Sequence, residues 1–363
     1  MEQRILIIDF MHLVHTYNYA PYDITGYVEI DGKVEQVSVK LHKGILSTIN
    51  KWSRKGKDKV IVCLDRPVPA RKAYFTKWFE ENGITKGYKD GRKSLPTSTM
   101  QAVDQIVSIM REAKIPVCIG DNYEADDLIF ATVCKCKKEF PNMPIDIVTN
   151  DADILPLVDE HVSVFLKSQK FSSAVDPEIL KKHYIQITPE NFEEEVVQRG
   201  EYKKFRMPYN TVLLHKLLRG DKSDCIPACK GFPPKKYNEM IEKMEQDGVD
   251  FAKVFRYGEC PKEYVDKATG NVLKSNEGME KGTYKIRYKK PVELANILNT
   301  MAGYVGEEVL EHIEKTYKGM NLNQVYIEPV TMGTRLPATI SIVPSEYSED
   351  LLRVVLKRWN IRI

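Results

Sequence analysis

The chain has 363 residues, of which 42% are hydrophobic and 29% are charged, and its formal net charge is +3. This is the composition of a globular protein with one large or two modest domains, and it excludes disordered and fibrous classes. A nearly neutral balance argues neither for nor against a polyanionic partner, so only the distribution of charge can indicate one.

Cysteine usage and the N-terminus indicate the compartment. The seven cysteines are an odd number and lack the paired spacings of a zinc site, which favours a reducing environment. The N-terminus shows no signal-peptide pattern, and no apolar run approaches the ~18 residues of a membrane span. We therefore expect a cytoplasmic protein with no membrane partner, in the host cytoplasm if a phage encodes it.

Apolar runs alternate with helical patterns over residues 1–170. Residues 5–8 and 60–64 are continuous apolar runs, typical of buried parallel strands, and they end at Asp9 and Asp65. The further predicted elements are a hairpin at 27–39, helices at 41–52 and 99–113, and strands at 116–119, 145–148 and 162–166. This alternation predicts an α/β fold with a mainly parallel central sheet and helices on both faces.

Residues 120–153 carry five carboxylates at the two ends of one helix-then-strand unit. Glu124, Asp126 and Asp127 stand at a helix start, and Asp151 and Asp153 follow a short apolar strand. Ligand crevices in open α/β sheets form at the carboxyl ends of the strands. We therefore expect these acids to line a site.

Convergence of these acids at one sheet edge would require cations. Two carboxylates ~4 Å apart repel by about 4 kcal/mol at an effective dielectric of 20. Asp221 and Asp224 follow a later amphipathic helix at a spacing that shares one helical face. Oxygen donors without nearby histidine or thiolate favour Mg²⁺ or Mn²⁺ over zinc, and two such ions suit in-line displacement at phosphorus.

Single residues among these also fit other interpretations. Any single aspartate after a strand is more simply a solvated loop acid, and His12 and His15 are more simply packing or surface residues. The IIDF run also fits phosphatases with an aspartyl nucleophile, but Met11 stands where their second aspartate is needed. No GxxxxGK[ST] or GxGxxG stretch is present to cradle a nucleotide.

Two segments combine basic and aromatic residues. In the first, at 66–93, five aromatic residues are interleaved with Arg71, Lys72, Lys77, Lys86, Lys89, Arg92 and Lys93. This pattern predicts an excursion from the sheet. In the second, at 281–290, a solvated edge is the simpler interpretation and contact with nucleic acid the alternative.

In chain order, the motifs IIDF, YKDGR, YEADD, TNDAD and LLRGDKSDCIP, with the strand ending at Asp65, resemble those of the 5′ nuclease superfamily. This superfamily contains flap endonucleases and 5′→3′ exonucleases, and the chain is most similar to the stand-alone bacteriophage RNase H-like type. The resemblance covers residues 1–245. It implies a PIN-like core, a helical arch and a helix–hairpin–helix subdomain that binds DNA.

The resemblance also implies roles for the acids. Four would surround a first Mg²⁺ ion, with Mn²⁺ able to substitute: Asp9, Asp65, Glu124 and Asp126. Asp151 would lie between two ions, and the second ion would be served, in part through water, by Asp127, Asp153, Asp221 and Asp224. Lys89, Arg92 and Arg71 would lie on the arch, where Lys89 and Arg92 stabilise the developing charge of the scissile phosphate.

The hairpin of the helix–hairpin–helix segment reads KGFPPKKY. Gly231 is kept, but Pro233 stands where a second glycine is usual, and proline has no N–H to offer a phosphate. Salt-dependent charge contacts would compensate. The expected DNA-binding residues are Lys230, Gly231, Lys235, Lys236, Lys72 and Lys93.

The expected organisation is a nuclease core at 1–175 with an arch at about 66–100, a helix–hairpin–helix subdomain at 176–257, and a Lys/Gly-rich insertion with C-terminal helices at 258–363 packing on the body. The implied function is a two-metal, structure-selective 5′ nuclease that removes RNA primers and 5′ flaps in DNA replication. The implied partners of this monomer are branched or nicked DNA, RNA/DNA duplex, and a single-stranded-DNA-binding or other replication protein. The alternatives are an RNA-processing nuclease of the same superfamily and a non-cleaving junction-binding protein.

Overall fold

The computed structural model describes residues 3–19, 24–30, 33–64, 69–91, 94–119, 123–167, 183–257, 262–273, 283–288, 292–320, 347–359 and 361. The chain divides into two compact units. The first comprises Met1–Val68, Gly91–Glu201 and Pro337–Ile363, and the second comprises Pro69–Asp90 and Tyr202–Leu336. Residues 69–90 of the expected arch therefore group with the second unit, whereas the sequence-based boundaries placed the whole arch, about 66–100, with the nuclease core.

The first unit is built on a six-stranded sheet. The strands of this sheet are β1 (Ile5–Asp9), β4 (Lys59–Leu64), β5 (Val117–Ile119), β6 (Ile145–Thr149), β7 (Val162–Lys167) and β8 (Tyr184–Ile187). A separate antiparallel hairpin consists of β2 (Thr25–Ile30) and β3 (Lys33–Ser38). The sheet order is β5-β4-β1-β6-β7-β8. All neighbours are parallel except β7 and β8, which are antiparallel.

Helices cover both faces of this sheet. They are α1 (Phe10–Asn18), α2 (Lys40–Trp52), α4 (Thr97–Glu112), α5 (Ala125–Glu139), α6 (Phe192–Val196) and α12 (Glu349–Arg358). Leu6 and Ile8 of β1 belong to a core cluster with residues of α1, α2, α4 and α12. Cys63 faces the other side, where its Sγ lies 3.9 Å from Thr132 Oγ1 of α5. The predicted α/β fold is therefore confirmed.

The buried strands explain why the sheet forms where the sequence predicts it. Every residue of β1 is buried, as expected for a central parallel strand with covered faces. β1 pairs with β4 on one side and with β6 on the other. The strand order therefore reverses between β1 and β6, which is where open α/β sheets place their ligands.

The second unit is mainly helical. Its described elements are α3 (Pro69–Glu81), α7 (Val212–Arg219), α8 (Pro234–Gln246), α9 (Phe251–Val254), α10 (Val292–Met301), α11 (Glu307–Met320), and a three-stranded sheet of β9 (Lys262–Asp266), β10 (Val272–Leu273) and β11 (Tyr284–Tyr288). Three aromatic side chains of α3, those of Phe75, Trp78 and Phe79, are buried in one cluster with Tyr88 and Met320. None of the helices described in either unit is long and apolar enough to cross a membrane.

Candidate metal centre

Three carboxylates of the first unit converge at the carboxyl edge of the sheet. Asp126, Asp151 and Asp153 each offer an oxygen, and these oxygens all lie within 4.8 Å of one another. Asp126 lies in the first turn of α5, and Asp151 and Asp153 begin the 3-10 helix Ala152–Leu157 that follows β6. The first turn of a helix favours negative charge, so both elements begin with residues suited to their ends.

The turn after β6 is fixed by its own side chains. The Asp151 backbone N–H donates to Thr149 Oγ1 at 3.0 Å, and the Asp153 N–H donates to Asp151 Oδ1 at 2.9 Å. Because a carboxylate two residues before an N–H closes a compact turn, Asp151 and Asp153 are brought to the same side of it. The TNDAD motif thus builds half of the cluster locally.

Asp9 lies at the end of the neighbouring strand. The Thr149 hydroxyl donates to Asp9 Oδ2 at 2.8 Å, and the His12 N–H donates to Asp9 Oδ1 at 3.1 Å, so Asp9 also caps α1. Sequence reasoning did not select Thr149. Its position as the last residue of a buried strand, two residues before Asp151, was the available signal.

His12 has the packing role that the sequence favoured. Its Nε2 is hydrogen-bonded to the Tyr184 hydroxyl, and its ring is buried. Burial, together with the charge of Lys167 and of His15, lowers the pKa of His12 to about 3. The imidazole is therefore neutral near pH 7.

Glu124 and Asp127 form the start of α5. The side chain of Glu124 accepts from the backbone N–H of Asp127, and the Glu124 N–H donates to Asp127 Oδ2 at 3.0 Å, which is a capping box. Asp127 is 1% exposed. The adjacent acids of YEADD therefore differ: Asp126 contributes to the cluster, and Asp127 caps the helix.

The donor set fits a hard divalent cation. The cluster contains only carboxylate oxygens, the ligands that Mg²⁺ and Mn²⁺ prefer. Three carboxylates this close repel one another by several kcal/mol in total at an effective dielectric of ~20, and a bound cation offsets that repulsion. The three residues that would hold it are Asp126, Asp151 and Asp153.

Asp221 and Asp224 lie in the second unit, each with partners there. Asp221 Oδ2 is 2.7 Å from Lys216 Nζ, and the Ser223 hydroxyl donates to Asp221 Oδ1 at 2.6 Å. Burial acts to raise the pKa of Asp221, but the Lys216 ammonium and the Ser223 hydrogen bonds outweigh it and hold the pKa well below its ordinary value. Asp224 Oδ2 accepts from the Tyr88 hydroxyl at 3.0 Å.

The basic residues expected on the arch have different environments. Arg71 is buried within the second unit, where it is 2% exposed. Lys89 is half-buried, and its Nζ lies 5.2 Å from the centre of the Tyr88 ring. Lys72 is exposed on α3. Asp65, Arg92 and Lys93 lie outside the described residues.

The hairpin between α7 and α8 presents basic residues. Lys230, Lys235 and Lys236 are exposed, and Gly231 is exposed with a φ of +74°. Pro233 precedes α8 and Pro234 begins it, a position where the missing N–H costs nothing. The prolines that depart from the usual hairpin therefore start a helix.

The fold and the cluster define a class: an α/β protein with an acidic centre at the carboxyl edge of its sheet. Residues 4–195 match the profile of the family described as 5′-3′ exonuclease, N-terminal resolvase-like domain. Because this match spans more than half of the chain, the chain belongs to that family. The resemblance to the 5′ nuclease superfamily is thereby confirmed.

Two curated relatives illustrate the similarity. The chain is 32% identical over 158 residues to a DNA polymerase I of Caldicellulosiruptor bescii, a match covering 43% of this chain and 16% of the relative. It is 27% identical over 158 residues to a 5′-3′ exonuclease of Mycoplasma pneumoniae, covering 43% of this chain and 47% of the relative. The chain thus matches less than half the length of either relative.

Solved structures that are similar along most of the chain include a phage nuclease. A bacteriophage T5 flap endonuclease, crystallised as a complex with DNA and metal ions, has a TM-score of 0.47 and 13% sequence identity, with 98% of each chain covered. A similarity at this level carries no inference about activity. The fold assignment follows from the sheet order and its register.

Proposed function

We propose that this protein is a divalent-metal-dependent, structure-selective 5′ nuclease that hydrolyses phosphodiesters near 5′ ends and at junctions of single-stranded and duplex DNA. The observation that carries the proposal is the cluster of Asp126, Asp151 and Asp153 at the sheet edge of a chain in the 5′-3′ exonuclease family. The proposed cofactor is Mg²⁺, with two ions, and Mn²⁺ as a substitute. The proposed biological role is removal of RNA primers and 5′ flaps.

Several residues would act in this reaction. Asp126, Asp151 and Asp153 would hold cation, and Asp9 would be oriented toward the same edge by Thr149 and by the N–H of His12. When bound, the metal would supply positive charge that stabilises the phosphorane-like transition state and lowers the pKa of the attacking water. The sequence motifs assign Asp65, Glu124, Asp127, Asp221 and Asp224 to the same ions, and this assignment is part of the proposal.

Substrate binding would depend on positively charged side chains. Exposed Lys230, Lys235 and Lys236 beside the Gly231 turn are suited to duplex phosphates, and exposed Lys72 to a 5′ strand. Lys89, Arg92 and Lys93 of the YKDGR region are proposed to contact the phosphate near the cleaved bond. Arg71, which the sequence motifs place with these residues, is buried in the second unit, and its contact with phosphate stays a prediction.

The test is cleavage of 5′-labelled substrates by the purified protein. We expect products from nicked and 5′-flapped duplexes with Mg²⁺ and none with EDTA, with less cleavage of single-stranded RNA. Asp126→Asn and Asp151→Asn should each abolish cleavage, whereas Asp350→Asn, an exposed acid of α12, should leave it unchanged. Retained cleavage in both cluster variants would contradict the mechanism, and equal or faster cleavage of the RNA would favour the RNA-processing alternative.

A further inference from the structure

The phenol of Tyr88 and the carboxylate of Asp224 form a buried pair inside the second unit. The Tyr88 hydroxyl donates to Asp224 Oδ2 at 3.0 Å, and the two residues are 5% and 6% exposed. A backbone hydrogen bond joins the same two segments, since the Lys89 N–H donates to the Asp224 carbonyl oxygen at 3.2 Å. Lys89 has a φ of +56°, so the chain turns sharply at this point. The YKDGR segment is therefore held to the LLRGDKSD segment at two places.

The Tyr88 ring is in turn fixed by α3. It stacks on the Phe75 ring with the ring centroids 4.8 Å apart and an angle of 16° between the planes. Phe75 is fully buried. Offset stacking of this kind restricts the rotation and sliding of both rings. The phenol oxygen consequently has little freedom to leave the Asp224 carboxylate.

Phe75 sits where only a glycine leaves room on α11. A Cβ added to Gly319 would overlap the Phe75 ring. Two neighbouring contacts hold the same two helices together: the Tyr74 hydroxyl donates to the Lys315 carbonyl oxygen at 2.9 Å, and the Trp78 ring lies edge-on to His312 with centroids 6.0 Å apart. Helix α11 thus sets the position of Phe75.

We propose that Tyr88 is a positioning residue that orients the Asp224 carboxylate for a divalent ion, and that α11 sets this orientation through Gly319 and Phe75. The inference rests on the proposed function, which assigns Asp224 to one of the two ions. Hydrogen-bond donors behind a ligand carboxylate fix its direction, and their loss typically weakens metal binding at least tenfold. Helix α11 thereby supports a ligand carboxylate.

The affinity for Mn²⁺ in the absence of DNA, measured by calorimetric titration of the whole chain, tests this proposal. Tyr88→Phe keeps the ring stack and removes only the hydroxyl, and we expect one Mn²⁺ ion to bind about tenfold more weakly. Tyr304→Phe is the matched control, since it removes a phenol that donates to a different carboxylate of the second unit, that of Asp247, at 2.9 Å. Unchanged affinity in Tyr88→Phe, or an equal loss in both variants, would overturn the proposal.

A second pair of variants tests the contribution of α11. Gly319→Ala should displace Phe75 and weaken the same Mn²⁺ ion, whereas Gly306→Ala should not, because a Cβ built there meets no described atom within 4 Å. Thermal unfolding verifies that both variants fold. A folded Gly319→Ala protein with wild-type Mn²⁺ affinity would show that the packing of α11 on α3 does not affect the orientation of the Asp224 carboxylate.

A double-mutant cycle separates this inference from the proposed function. Asp224→Asn should weaken the same ion, and adding Tyr88→Phe to it should weaken that ion no further, because the hydroxyl acts only through the carboxylate. Additive losses, or wild-type Mn²⁺ affinity in Asp224→Asn, would refute the inference whatever the protein cleaves. Wild-type protein that binds Mn²⁺ with this pattern yet cleaves no DNA would instead disprove the proposed function and uphold the role of Tyr88.

Discussion

The hydroxyl of Thr149 donates to Asp9 Oδ2 at 2.8 Å and at the same time accepts from the N–H of Asp151 at 3.0 Å. One side chain therefore connects the ends of β1 and β6 and determines the direction of two acids. Since the sheet order reverses between these strands, Thr149 lies at the place where the fold itself creates a crevice.

Thr149→Val should impair the site while Thr149→Ser should not. Valine has a similar shape but leaves the Asp9 carboxylate and the Asp151 N–H without this partner, whereas serine preserves both hydrogen bonds. We expect Val to lower the cleavage rate about tenfold and the free energy of unfolding by about 1–3 kcal/mol. Rates at saturating Mg²⁺ and urea unfolding measure the two effects, and equal behaviour of the two variants would contradict this role.

Replacing each of the adjacent acids Asp126 and Asp127 by alanine should distinguish the residue that binds metal from the residue that caps the helix. Asp127→Ala removes one half of the capping box and should cost about 1 kcal/mol of stability. Asp126→Ala should leave stability in EDTA unchanged or higher, because it relieves repulsion in the cluster, and should weaken Mn²⁺ binding more than Asp127→Ala does. Denaturant unfolding and calorimetry provide the comparison, and the opposite ranking for Mn²⁺ would make Asp127 the ligand.

Gly220→Ala should destabilise the protein far more than Gly231→Ala. Gly220 has φ +66° and ψ −170°, a region nearly exclusive to glycine, and an added Cβ would overlap the carbonyl oxygen of Ile226. Gly231 also has a positive φ, but a Cβ there meets no described atom within 4 Å. We expect losses of more than about 3 kcal/mol and about 1 kcal/mol, respectively, in urea unfolding. Similar losses would show that steric overlap at Gly220 is relieved elsewhere.

Asp58→Asn should destabilise the protein in a pH-dependent way. Asp58 is 1% exposed and accepts from Arg4 Nε at 3.1 Å and Arg54 Nε at 2.8 Å. Burial acts to raise the pKa of Asp58, but the two arginines outweigh it and hold that pKa below its ordinary value. Removing one charge of such a buried group costs about 3 kcal/mol.

The sign of the pH effect follows from the lowered pKa. A carboxyl whose folded pKa is depressed contributes stability above its unfolded pKa of ~3.9 and loses it as pH falls through the folded pKa. The difference in unfolding free energy between wild type and Asp58→Asn should therefore be full at pH 7 and shrink below about pH 4. Urea unfolding across this range measures it, and a constant difference would show that charge is not the cause.

Duplex binding should weaken steeply with salt. The plot of log association constant against log salt concentration has a negative slope. If Lys230 and Lys235 each neutralise a phosphate, replacing both by glutamine should make this slope less steep by about two. Replacing the exposed Lys357 of α12 is the control and should leave the slope unchanged. Binding is measured in EDTA to prevent cleavage, and a flat salt dependence of the wild-type protein would exclude phosphate contacts as the main source of affinity.

The acidic cluster was predictable because its position depends on local patterns. Continuous apolar runs predict buried parallel strands, and parallel strands bring their last residues to one edge. Asp9 at the end of β1 and Asp151 just after β6 could therefore be placed at this edge from sequence. The helix start at Glu124 and Asp127 was also predicted, but their capping box was not, since the sequence motifs assigned both acids to metal ions.

Packing between distant segments was not predictable in the same way. Arg71 has the residue type of an exposed phosphate contact, but its burial depends on how α3 packs in the second unit. The bond between Tyr88 and Asp224 joins segments 136 residues apart, and no periodicity reports such a contact. The same holds for Gly319, whose importance appears only when the Phe75 ring is seen beside it.

The separation of the cluster residues along the chain has a consequence for folding order. Asp126, Asp151 and Asp153 belong to one continuous helix-to-strand segment, so they can approach one another after closure of a short loop. Asp9 is brought to the same edge of the sheet only when β1 pairs with β6, and its hydrogen bond to Thr149 spans 140 residues. A chain emerging from synthesis would therefore assemble three acids as one event and complete the centre only through the slower long-range pairing of the sheet.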